Sequence, residues 1–192
     1  MDAFNAKKII VIGCPGSGKS TFARKLRDLT GLPLYYLDML YHRRDRTTAP
    51  RDEFDAALKD ILARDEWIID GNYQRTLPLR LAACDLVFFF DLPLSECLEG
   101  AAARVGTVRE DMPWVETEFD PDFRRYIIEF PEKQIPETRQ MIEEAATSRL
   151  SATDYNDVSI AGQCIAPDIN PLRVVTFASR EEADRFISDL AD

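Results

Sequence analysis

Residues 13–20 read Gly-Cys-Pro-Gly-Ser-Gly-Lys-Ser. A glycine, four intervening positions and then Gly18-Lys19-Ser20 form the pattern of a phosphate-binding loop. The residue types explain the chemistry. Glycines let the backbone turn until successive N–H groups converge on an anion. A helix starting behind the loop adds the positive end of its dipole. Lys19 is the side chain to reach β- and γ-phosphates, and the Ser20 hydroxyl is the ligand for Mg²⁺. The expected nucleotide contacts are therefore Gly13, Cys14, Pro15, Gly16, Ser17, Gly18, Lys19, Ser20 and Thr21.

A magnesium ion bound with a nucleotide needs carboxylates as well as Ser20. Asp38 and Asp70 both fall at the carboxyl ends of predicted strands, the edge where open α/β sheets take ligands. Either could hold a metal-bound water or orient an acceptor, and either could simply cap a turn. Gly71 beside Asp70 permits close approach, so Ser20 and Asp70 are the expected metal ligands. One histidine, His42, cannot build a histidine metal site; between Tyr41 and Arg43-Arg44 it could touch an acceptor near Asp38, with a surface role the favoured reading. Trp67 opens a predicted strand and reads as core. Trp114 and Tyr73 could each stack on a ligand or simply pack.

These residues need elements to position them. "KKIIVIGC" (7–14) is a continuous apolar run, as a strand buried on both faces requires. Behind the loop, Ala23, Leu26 and Leu29 recur at helical spacing, and Gly31 stops the helix. "LPLYYLDML" (32–40) reads as a second strand carrying Asp38. Residues 51–64 form a helix with Phe54, Ala57, Leu58, Ile61 and Leu62 on one face. "EWIIDGN" (66–72), "CDLVFFFDLP" (84–93) and "LRVVTFA" (172–178) supply three more strands. Asp120-Pro121 starts a helix with Phe123, Ile127 and Phe130 on one stripe. Another helix spans about 136–150. Ser179 and Glu182 form a capping box for a last helix, whose Ala183, Phe186, Ile187 and Leu190 face inward. Alternating strands and helices predict an α/β fold with a mostly parallel sheet.

The chain has 192 residues, 45% apolar and 30% charged, with net charge −10. That suits one domain, 1–192, with a sizeable core. Residues 151–171 lack a clear period and read as a long irregular connection. There are no repeats and no low-complexity tract. The acidic balance argues against a general nucleic-acid face, since Arg43, Arg44 and Arg46 are the only small basic cluster. No apolar run approaches the ~20 residues of a membrane span. The opening "MDAFNAKKII" leads straight into the first strand instead of a secretory signal. None of Cys14, Cys84, Cys97 and Cys164 forms a CxxC pair, so reduced thiols in a cytoplasmic protein are expected.

Three segments then carry a resemblance to the nucleoside-monophosphate-kinase branch of the phosphate-loop (P-loop) NTPases. "IDGNYQRT" (69–76) resembles the "DGFPRT" segment of adenylate kinases, with one extra residue before the arginine. "FDLPLSECLEGAAAR" (90–104) resembles their "FDVP" strand end and following helix. "VREDM" (108–112) resembles their arginine-rich lid return. Residues 7–130 are most similar to the adenylate-kinase-related proteins known as topology modulation or FlaR-like proteins. The resemblance implies five parallel strands in the order 2-3-1-4-5 and a short lid over 104–113. It places Arg75 near an acceptor phosphate, which adds Arg75 to Asp38 and Asp70, read from their strand ends, as the expected acceptor-binding residues. It brings Arg104 and Arg109 to the transferring phosphoryl group, as catalytic residues with Lys19. Planar arginine forks suit that task.

There are three departures. Gly100 stands where the family helix usually carries an arginine, the lid is very short, and 151–171 is long. The activity implied is Mg²⁺- and ATP-dependent phosphoryl transfer to a nucleoside monophosphate, by a monomer or dimer. Two alternatives stand beside it. One is a kinase acting on a hydroxyl, as gluconate and shikimate kinases do, with Asp38 as base or orienting group. The other is a nucleotide-binding regulator that hydrolyses ATP slowly.

Overall fold

In a computed structural model of the protein, which describes residues 4–154 and 171–191, the first strand β1 (Lys8–Gly13) sits at the centre of a five-stranded parallel sheet. The sheet order is β2-β3-β1-β4-β5, with β2 at Leu34–Tyr36, β3 at Trp67–Asp70, β4 at Leu86–Phe90 and β5 at Arg173–Phe177. This is the expected 2-3-1-4-5 order. Its registers include Val11 opposite Asp70 and Gly13 opposite Phe90. The phosphate loop and Asp70 therefore leave neighbouring strands at the same sheet edge.

Burial explains the strand sequences. Ile9, Ile10, Val11, Ile68, Ile69, Val87 and Phe88 are fully buried, as strands covered on both faces must be. Helices α1 (Lys19–Thr30), α2 (Leu37–Tyr41), α3 (Arg51–Leu62), α4 (Leu77–Ala83), α5 (Leu94–Ala102), α6 (Pro121–Lys133), α7 (Ile135–Asp154) and α8 (Arg180–Ala191) complete the order. Phe22 of α1 packs among Phe88, Phe90 and Phe177, with ring centroids 4.7–5.4 Å apart. That cluster fixes the direction in which α1 leaves the loop.

The predicted caps form. Gly31 closes α1 at φ 74°, and the Phe123 N–H donates to the Asp120 carboxylate at 2.8 Å. The Glu182 N–H donates to Ser179 Oγ at 3.2 Å, while the Glu182 carboxylate takes the Ala178 N–H.

Three expectations need correction. The second strand is only three residues, because β2 is a sheet edge paired with β3 alone. The chain then turns helical, the His42 N–H bonds to the Asp38 carbonyl, and Asp38 lies in α2 instead of at a strand end. Leu29 is 44% exposed, on the outer side of α1. Helix α7 runs on to Asp154, into the expected irregular connection 151–171, whose residues 155–170 lie outside the described residues. Among the described residues no helix is long and apolar enough to cross a membrane.

Candidate active site

The loop from β1 to α1 is built almost wholly of backbone. Gly16 has φ 87°, and a β-carbon there would lie 1.9 Å from the Cys97 carbonyl oxygen. Only glycine lets the loop press this closely on α5. The Ser17 N–H donates to the Cys14 carbonyl and tightens the turn. Lys19 and Ser20 open α1 and are buried. The Cys14 thiol is raised by its hydrogen bond with Cys97 and by burial, so it is neutral packing beneath the loop.

A residue that the sequence reading passed over holds the loop from the β3 side. The Gly13 N–H donates to Asn72 Oδ1 and Asn72 Nδ2 donates to the Gly13 carbonyl, both at 2.9 Å. Asn72 is itself held by Arg80, which is fully buried. Arg80 donates to the carbonyls of Gly71, at 2.8 Å, of Asn72 and of Tyr73. Burial lowers the Arg80 guanidinium to about 9, still cationic near neutral pH. An arginine in a short amphipathic helix gives no sign of such a role in sequence. Only the return of α4 beneath residues 71–73 creates it.

Asp70 is buried beside Lys19 and Ser20. Burial raises its carboxyl to about 6, with Lys19 and Ser20 acting in the opposite direction. Its Oδ1 atom has no hydrogen-bond partner. Asp111, from the connection between α5 and α6, is also buried, its Oδ1 ion-paired with Arg109 Nε at 3.2 Å. Burial opposes its ionisation, but Arg109, a backbone hydrogen bond, Arg104 and Lys19 outweigh that and hold it below the usual carboxylate range. Among the described residues no cluster of three or more His, Cys, Asp or Glu is placed to hold a metal unaided. Magnesium asks for less: one or two carboxylates, waters and the substrate's phosphates. A hydroxyl at Ser20 and a free carboxylate oxygen at Asp70 fit that donor set, with the arginine-paired carboxylate of Asp111 close enough to act on Asp70 by its charge.

Asp111 lines a cleft of about 480 Å³ together with Lys19, Arg104 and Arg109. Arg109 lies 3.2 Å from Asp111 and 3.3 Å from Glu116. Arg104 is lowered by burial and by the charge of Arg109. The same cleft is lined by Asp38, His42, Arg46, Tyr73, Trp114 and Tyr126. The Tyr73 hydroxyl donates to Asp38 Oδ1 at 2.9 Å. His42 and Trp114 meet edge to face at 5.1 Å, and the Arg46 guanidinium lies 5.9 Å from the Trp114 ring centre. His42 therefore lines the cleft, where sequence had read it as surface.

Arg75 is not brought into this cleft. It is paired with Asp55 of α3, with contacts of 3.0 and 2.5 Å, and borders a separate hollow with Tyr41, Phe54 and Tyr73. Trp67 is core, as expected.

The parallel 2-3-1-4-5 sheet with its glycine loop after β1 is a P-loop NTPase fold of the kinase-like type. No family model matches the chain. A stretch of 85 residues is 29% identical to the adenylate kinases of Thermotoga petrophila and Thermotoga maritima. It covers 43% of this chain and 38% of each of those proteins, so the match spans well under half their length. Among solved structures, a gluconokinase from Sinorhizobium meliloti is 18% identical with TM-score 0.42, covering 78% of this chain and 95% of its own. A shikimate kinase from Acinetobacter baumannii, in complex with shikimate, is 15% identical with TM-score 0.48, covering 80% and 96%.

Proposed function

We propose that this protein is an ATP-dependent phosphotransferase that moves the γ-phosphoryl group to a small-molecule acceptor. The observation that supports it most is the convergence on one cleft of the Lys19 loop, Arg104 and Arg109 with the carboxylate of Asp38. Phosphoryl transfer is mostly positioning and neutralisation of charge on the transferred group. The loop amides and Lys19 hold the β- and γ-phosphates. Arg104 and Arg109 neutralise the equatorial oxygens. Arg109 reaches them by exchanging Asp111 and Glu116 for phosphate, so residues 104–113 act as a short lid. Ser20, with Asp70 and Asp111 behind it, would hold Mg²⁺ bound with ATP, and the ion supplies further neutralisation.

The resemblance to adenylate kinases supports a nucleoside monophosphate as acceptor. Two observations favour the second reading, an acceptor hydroxyl. Arg75, the arginine meant for an acceptor phosphate, points to Asp55 outside the cleft. Asp38 is oriented by the Tyr73 hydroxyl in a wall of aromatic side chains, the arrangement of a group that receives a hydroxyl proton. The net charge of −10 gives no support to a DNA role.

ADP release measured across nucleoside monophosphates, nucleosides and sugar or ring alcohols tests this. Stimulation by one acceptor class supports transfer and identifies the reading. Slow hydrolysis unmoved by every acceptor would favour the regulator instead.

A further inference from the structure

Helix α5 meets the phosphate loop at Gly100. A β-carbon at Gly100 would lie 2.1 Å from the Gly16 carbonyl oxygen and 2.4 Å from Arg180 Nη2. The loop backbone and an arginine from the start of α8 thus share the room that a side chain at position 100 would fill. Arg180 Nη2 donates to the Gly16 carbonyl at 2.9 Å and to the Glu96 carbonyl at 2.6 Å. Its guanidinium also borders a hollow of about 320 Å³ on the outer side of the loop, with Gly18, Thr21 and Arg104.

The physical consequence lies in the loop's own weakness. Gly16 sits at φ 87° with no side chain to restrict it, so its intrinsic preferences do not hold the turn. A peptide unit is planar, so fixing the Gly16 carbonyl also fixes the direction of the Ser17 N–H. That N–H closes the turn onto the Cys14 carbonyl, and the turn in turn aims the amides of Gly18, Lys19 and Ser20. A charged donor shared between two carbonyls is among the stronger hydrogen-bonding arrangements.

We propose that Arg180 is a positioning residue for the phosphate loop: it holds the Gly16–Ser17 peptide in the phosphate-receiving shape before any ligand arrives, and glycine at 100 gives it access. This rests on the phosphotransfer reading, in which the loop takes a nucleotide's phosphates. Arg180 does not touch the acceptor side of the cleft, so its effect belongs to nucleotide binding alone.

The test is titration of the parent, Arg180→Ala, Arg180→Lys and Gly100→Ala with MgATP and, separately, with inorganic triphosphate, beside thermal melts and steady-state kinetics. Arg180→Ala is expected to weaken both ligands about tenfold. Arg180→Lys, which keeps the charge but not the planar fork, loses less. The KM for ATP rises while the KM for the acceptor stays. Gly100→Ala also weakens both ligands, but because its β-carbon would lie 2.1 Å from the Gly16 carbonyl oxygen it reports the closeness of α5 to the loop and not the role of Arg180. If Arg180→Ala is too unstable to assay, Arg180→Lys decides by the same titrations. Unchanged affinity for both ligands overturns the positioning role. So does loss of ATP affinity with triphosphate unaffected, because the contact would then be to the nucleoside. A parent that binds neither ligand overturns the phosphotransfer reading itself, and the proposal with it.

Discussion

The proposed phosphate end and the proposed acceptor end of the cleft are built by different means. The phosphate end is a run of consecutive residues, 13–21, whose backbone amides are the functional groups. The acceptor end is assembled from side chains on separate segments: Asp38 and His42 around α2, Tyr73 after β3, Trp114 between α5 and α6, and Tyr126 on α6. A site made of local backbone depends on few residue choices. A site made of distant side chains depends on the whole packing. On the proposed reading the first fixes a chemistry, nucleotide phosphate binding, and the second decides what receives it.

The sharpest break in this comparison comes from Lys19→Ala. It should lower phosphoryl transfer by ~10³-fold or more while the melting temperature stays close to the parent's. Steady-state kinetics beside ATP titration and thermal melts check this, and retained turnover would mean that the Lys19 loop does not hold the transferred phosphates.

Arg80→Met probes the support shared by both ends. It leaves the carbonyls of Gly71, Asn72 and Tyr73 without their buried donor. A loss of ~3 kcal/mol or more is expected from chemical denaturation, since each orphaned buried acceptor costs ~1–3 kcal/mol. A change under ~1 kcal/mol would mean that water replaces the guanidinium at no great cost.

Asp38→Asn isolates the acceptor end. On the hydroxyl reading kcat falls ~10²-fold or more while ATP affinity holds. On the nucleoside-monophosphate reading kcat changes little. Arg75→Ala gives the complementary result: only the monophosphate reading expects the acceptor KM to rise. Single-variant kinetics with the best acceptor separate the two.

Asp70→Asn gives the smallest and most pH-dependent effect. The ordinary carboxyl value is 3.8, and burial lifts it to about 6 in the folded protein. Below about pH 4 both states are protonated and burial carries no ionisation penalty. Between about 4 and 6 the unfolded chain releases the proton and the folded one keeps it, so stability falls as pH rises. Above about 6 the penalty is constant. The variant should therefore melt higher than the parent at pH 8, with no gain from lost ionisation at pH 4, while its Mg²⁺-dependent turnover drops. An equal shift at both pH values would place the effect in packing.

What the sequence determined by itself is the part carried by short-range pattern. The apolar runs of β1, β3 and β4, the loop glycines, the Gly31 stop and the Asp120 cap all act through neighbours along the chain, and each takes its expected place. The resemblance supplied the strand order. Only the tertiary structure decided the rest, because it depends on which segments meet. Edge position shortened β2 and moved Asp38 into a helix. The Asp55 carboxylate drew Arg75 out of the cleft, and the connection after α5 brought Asp111 and Trp114 into it. Asn72 and Arg180 hold the phosphate loop through contacts spanning 59 and 164 residues of chain, and Arg80 braces the turn that carries Asn72. No periodicity or spacing encodes contacts of that kind. They arise when the helices fold back over the sheet edge and a buried carbonyl has to find a donor.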